Sequence, residues 1–70
     1  MEFKEINRIP ISDSTEIVIS EMNKNGKLYG YAVNKYITSE KYTGFAKGIT
    51  IPLDKLQDFL KSFPANPKNE

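Results

Sequence analysis

Between residues 24 and 47 the chain carries five lysines, Lys24, Lys27, Lys35, Lys41 and Lys47, against a single acid, Glu40. Interleaved with them are Tyr29, Tyr31, Tyr36, Tyr42 and Phe45. Lysines track a phosphate backbone and aromatic rings stack on unpaired bases, at about 1 to 3 kcal/mol per base, so this mixture suits a single-stranded nucleic acid. The same residues also have a plainer use. Strand lysines discourage edge pairing, and tyrosine and phenylalanine fit any half-buried pleated surface.

Catalysis is poorly served. The chain has neither His nor Cys, so it lacks an acid-base group that titrates near neutral pH, a thiol nucleophile and the usual zinc ligands. It has no Gly-rich phosphate loop ending in Lys-Ser or Lys-Thr. Asp54 and Asp58 lie one helical turn apart, interleaved with Lys55 and Lys61, as on a solvated helix face. An enzyme is not expected, nor is a cofactor or a metal.

Seventy residues with net charge +1 make one domain. A chain this short buries only about 60% of the surface it exposes when unfolded. Without a disulfide or a metal, self-association is the remaining source of stability, so a homodimer is expected. No long apolar run and no signal-type N-terminus is present, which points to a cytoplasmic protein, nucleoid association included, with no membrane partner. The charge is uneven: residues 1–23 hold five acids against Lys4 and Arg8, while residues 48–70 balance.

The elements that must position the lysines and rings follow from alternation and turns. "FKEINRIPI", Phe3 to Ile11, reads as a strand that Pro10 confines to an edge or a bend. "EIVISEM", Glu16 to Met22, sets Ile17 and Ile19 against Val18, Ser20 and Met22. Asn25-Gly26 is a strong hairpin signal. It leads into "KLYGYAVNKYI", with Tyr29, Tyr31, Val33 and Lys35 on one face and Leu28, Gly30, Ala32, Asn34 and Tyr36 on the other. "FAKGITI" is a further strand, with Phe45, Lys47, Ile49 and Ile51 sharing a parity and Gly48 marking a bend or a place of close approach, by a phosphate backbone or by a neighbouring strand. From Pro52 a helix begins, whose stripe of Leu53, Leu56, Phe59, Leu60 and Phe63 must cover a sheet or a partner. "PANPKNE", from Pro64, is expected to be disordered.

The layout is α+β: a four-stranded curved antiparallel sheet followed by one C-terminal helix, with residues 1–63 forming the domain. One sheet face remains open, and which face of the third strand meets the helix is not decided by alternation.

The succession of Asn-Gly hairpin, "YAVNKYI", a polar loop and "AKGITIPLDKLQDFLKSF" resembles the single-stranded-DNA-binding domain of the transcriptional coactivator positive cofactor four and its small bacterial and phage relatives. The likeness is strongest at Lys47-Gly48-Ile49 and covers about Thr15 to Phe63, with Phe3 to Ile11 matching an extra N-terminal strand of the bacterial relatives. Similar sheet-then-helix units occur in the Pur-alpha and Whirly proteins. The resemblance implies a homodimer with paired helices and an outward, concave sheet channel for single-stranded DNA. It also implies a basic role for Lys47 and Lys27, and a stacking role for Tyr36 or Ile37. Asn34 and Ala46 stand where the family carries basic residues.

The expected nucleic-acid site is therefore Lys24, Lys27, Tyr29, Tyr31, Asn34, Lys35, Tyr36, Lys41, Phe45 and Lys47, and the expected dimer interface is Leu53, Leu56, Phe59, Leu60 and Phe63. The ligand would be single-stranded DNA, or RNA, bound with low sequence specificity in transcription, replication or recombination. The rival is a small protein-interaction module or regulator that uses the sheet or the helix stripe.

Overall fold

The computed structural model describes residues 1–65. Five strands run in sequence: β1 (Glu2–Pro10), β2 (Thr15–Lys24), β3 (Lys27–Thr38), β4 (Thr43–Phe45) and β5 (Ile49–Pro52). A single 3-10 turn, Leu53–Lys55, leads into α1 (Leu56–Lys61). All pairings are antiparallel in the order β1-β2-β3-β4, and β5 also pairs with β3. β4 holds residues 36–38 of β3 and β5 holds residues 30–33, so they are two halves of one edge strand. The expected fourth strand is thus present but broken. Pro10 lies in the other edge strand, where the donor it lacks goes unmissed.

The hairpin between β2 and β3 closes on Asn25 and Gly26, with φ of 54° and 76°, the two positive values that a tight primed turn requires. Three irregularities then decide which side chains share a face. In β1, Ile6 is an extra residue between Glu5, opposite Ser20, and Asn7, opposite Ile19. In β3, Tyr29 has no partner, because Met22 faces Gly30 and Asn23 faces Leu28. At the edge, Phe45 faces Tyr36 but Ile49 faces Val33, four residues against three, so one extra residue is accommodated within Ala46–Gly48. Each extra residue reverses the parity beyond it.

Glycine is required at that last kink by crowding. A Cβ on Gly48 would overlap the Val33 carbonyl and the Asn34 side chain, and one on Gly30 would overlap the Ile51 carbonyl. The neighbouring strand therefore occupies the room at Gly48 that the sequence left open to a phosphate backbone. The shared parity read for Phe45, Lys47, Ile49 and Ile51 also fails here. Register puts Phe45 on the face of Tyr36, and Ile49 and Ile51 on the face of Val33 and Tyr31.

α1 is shorter than the apolar stripe suggested. Ser62 ends it: its backbone N–H and its hydroxyl both donate to the Asp58 carbonyl, at 3.1 and 2.8 Å, and Pro64 follows. No residue of the turn or of α1 is buried. The described core is small, comprising Val18, Ala32 and Ile51. The molecule is a slab 17 Å thick whose radius of gyration, 14.2 Å, exceeds the roughly 11 Å of a compact domain of this length. No helix among the described residues is long and apolar enough to cross a membrane. Most of the tail for which disorder was expected, residues 66–70, lies outside the described residues.

Candidate functional site

Register and α1 together give the sheet two unlike faces. On the helix side, Ile19, Tyr31, Val33 and Ile51 join Ile6 and the helix residues Leu56, Phe59 and Leu60 around an open cavity of about 210 Å3 with a wholly apolar lining. Phe59 and Phe63 meet edge to face at 5.2 Å. The helix leaves much of this face uncovered: Ile6, Ile9, Ile49, Leu53, Leu60 and Phe63 are all exposed. Tyr31 belongs here, so the third strand turns its Tyr31-Val33 face to the helix, and Tyr31 is withdrawn from the aromatic set of the other face.

On the opposite, open face, β3 places Ala32, Asn34 and Tyr36 beside Ser20, Val18 and Glu16 of β2, and β1 places Arg8, Glu5 and Phe3 beyond them. Tyr36 and Phe45 pack edge to face with centroids 5.0 Å apart. Phe3, Ser20, Asn34 and Phe45 line a cavity of about 180 Å3. Phe3 and Phe45 are 60% and 54% exposed, which leaves their rings largely free to meet a ligand. Both Asn34 and Ser20 can present a donor and an acceptor, so the face offers aromatic surface with two polar edges at its centre.

Among the described residues Arg8 is the cation in contact with this ring cluster, while Lys24 and its partner Lys27 share the face by register at the hairpin end. The Arg8 guanidinium sits 5.0 Å from the Tyr36 ring centroid. Its Nε and Nη2 donate to the two carboxylate oxygens of Glu5 at 2.9 and 2.8 Å, and its Nη1 donates to Glu16 at 3.1 Å. The hydrogen bonds from Arg8 hold the Glu5 carboxyl below its usual range, and Arg8 is in turn pushed further above its own.

The predicted residues divide accordingly. Asn34, Tyr36 and Phe45 are brought together. Lys24 and Lys27 flank the hairpin turn, where the Lys27 ammonium lies 5.9 Å from the Tyr29 ring centroid. Lys47 is exposed at the kink, two residues beyond Phe45, and Lys41 is exposed in the loop before β4. Lys35 shares the parity of Val33, away from the open face. Tyr42 serves the loop: Ser39 Oγ donates to its carbonyl at 2.9 Å and accepts from its N–H at 3.0 Å, while its hydroxyl donates to the Phe45 carbonyl at 2.5 Å. Leu56, Phe59 and Leu60 line the helix-side cavity, and Leu53 and Phe63 extend its apolar margin.

Sequence reasoning missed Arg8 and Phe3. Both lie in an acidic segment, and counting by twos separates Phe3 and Glu5 from Arg8. The extra residue Ile6 unites them on one face. Among the described residues no group of three or more His, Cys, Asp or Glu gathers to hold a metal ion. Compared with known proteins, the chain matches no family model, no curated protein and no solved structure.

Proposed function

We propose that the protein binds single-stranded nucleic acid on the open face and associates with a second copy of itself through the helix side. The observation that carries the binding reading is the cluster of Tyr36, Phe45 and Phe3 around Asn34 and Ser20, on the sheet face that the helix leaves free. Rings of this kind accept any base on their π-faces, while the amide and the hydroxyl can meet base edges. Lys47 beside the cluster, and Lys24 and Lys27 at the hairpin end, would follow phosphates at its margins. The resemblance at Lys47-Gly48-Ile49 to positive cofactor four and its relatives points the same way.

Self-association is supported by the apolar helix-side cavity, the exposed leucines and isoleucines around it, and a core that among the described residues comprises only Val18, Ala32 and Ile51. A surface of this kind is costly to leave in water. With few cations on the open face itself, binding leans on stacking more than on charge, and its salt dependence is shallower than that of a strongly basic channel. No catalytic step is proposed.

The test is fluorescence anisotropy of labelled oligothymidine of about twenty nucleotides, titrated at two salt concentrations beside the matching duplex. Single-strand binding well above duplex binding is expected, and Tyr36→Ala should lower it by about 1 to 3 kcal/mol, roughly 5- to 150-fold. Absence of single-strand binding at low salt would remove this reading and leave the open face to a protein partner.

A further inference from the structure

Among the described residues Arg8 is the cation that contact places at the ring cluster of the open face, and in the free protein it is already engaged by two carboxylates. Its guanidinium fork is closed on the Glu5 carboxylate by two hydrogen bonds and on Glu16 by a third, while its Cζ lies 5.0 Å from the centre of the Tyr36 ring. The three side chains are only part-buried, at 34%, 45% and 35% exposure for Arg8, Glu5 and Glu16. Ion pairs this open to water add little to stability. The arrangement nonetheless depends on a departure from regular pairing, since without the extra residue Ile6, Glu5 and Arg8 would point to opposite faces.

A planar guanidinium matches carboxylate and phosphate with the same two-pronged geometry. A base stacked on the exposed Phe45 ring, which meets Tyr36 edge to face, would bring its own phosphate toward the guanidinium that lies over Tyr36. We propose that Arg8 is the phosphate-binding residue of the open face, and that Glu5 and Glu16 occupy it in the free protein as stand-ins for the ligand, so that binding exchanges carboxylate for phosphate. This rests on the single-strand reading above and adds a regulation to it. The two carboxylates set an internal competition that weakens binding, and a strand must present a phosphate and a stackable base together to win it.

The experiment is a double-mutant cycle on oligothymidine affinity, with folding of each variant checked by circular dichroism. Glu5→Gln with Glu16→Gln should tighten binding threefold to tenfold, and the same pair of changes in an Arg8→Gln background should give a clearly smaller gain. In the background carrying both glutamines, Arg8→Gln should weaken binding to all sequences alike and lower the salt slope by about one, as loss of one phosphate contact does. Arg8→Lys there should keep the slope and lose part of the affinity, because it keeps the charge without the fork. A gain in the Arg8→Gln background equal to or larger than that with Arg8 present would overturn the exchange, since it would mean that Arg8 merely neutralises the carboxylates. An unchanged salt slope on losing Arg8 would overturn the phosphate role while leaving single-strand binding intact. Failure of the unaltered protein to bind any single strand at low salt would remove both readings.

Discussion

The two faces of this sheet are built from the same strands and solve opposite problems. The helix side gathers Ile19, Tyr31, Val33, Ile51, Leu56, Phe59 and Leu60 into a surface with no polar lining, and a six-residue helix is too small to close it. The open side alternates rings with a carboxamide, a hydroxyl and an arginine held between two carboxylates. Apolar area gains by being covered by anything of suitable shape. Polar groups set among rings gain only from a ligand that matches their hydrogen bonds. The contrast teaches where specificity can reside: in the proposed reading the helix side would supply free energy of association, and the open side recognition.

The sharpest way to break that division is to charge the helix side. Leu60→Asp should halve the sedimentation mass and lower stability with it, because Leu60, 52% exposed in the single chain, would be covered only where copies meet. An unchanged mass would mean that this surface is not where copies meet. Next in size is Gly48→Ala, whose Cβ has no room beside the Val33 carbonyl and Asn34. Overpacking there should cost about 1 to 3 kcal/mol in a urea titration. Because the kink also assigns Phe45 to one face and Ile49 to the other, single-strand binding and stability should fall together; a loss confined to stability would separate the two roles.

Smaller effects sharpen the recognition side alone. Lys47→Ala should weaken binding evenly across base compositions and flatten the salt slope by about one, with the melting temperature unmoved. A loss selective for one base would contradict a phosphate role. The smallest expected effect is on pH. The Glu5 carboxyl, held below its usual 4.5 by hydrogen bonds from Arg8, favours the folded state above that pH, and the contribution disappears as pH falls through the lowered value. The melting temperatures of the unaltered protein and Glu5→Gln should therefore differ slightly at neutral pH and converge in acid. A difference that persists in acid would assign the effect to packing.

Much of this was legible in the chain itself. Asn25-Gly26 marked the hairpin, Pro10 marked an edge, the alternation of Ile17 and Ile19 against Val18 and Ser20 held, and Gly48 marked the kink. The faces were not legible, for one physical reason. Reading a strand by twos assumes unbroken pairing, and extra residues at Ile6, at Tyr29 and between Phe45 and Ile49 break it. Alternation set Tyr31 apart from Tyr36, as the structure does, but did not decide which of them faces the helix, and Arg8 was never connected to Glu5. Bulges depend on what lies across the ladder, such as the Val33 carbonyl against Gly48, and no count along one strand contains that information.

The meander has a consequence for how the molecule comes to exist. β1 to β4 pair with their neighbours in sequence, and β5 returns past β4 to pair with β3 as well. Contacts of short sequence separation form with little loop-closure entropy, so such a topology folds quickly for a β-rich chain. The β2–β3 hairpin, closed by its two-residue turn, is the centre of the sheet, with β1 on one side of it and the broken edge strand on the other. Arg8 lies on β1, Tyr36 on the central hairpin and Phe45 on β4, so the ring-and-arginine cluster exists only once all three pieces of the sheet are paired.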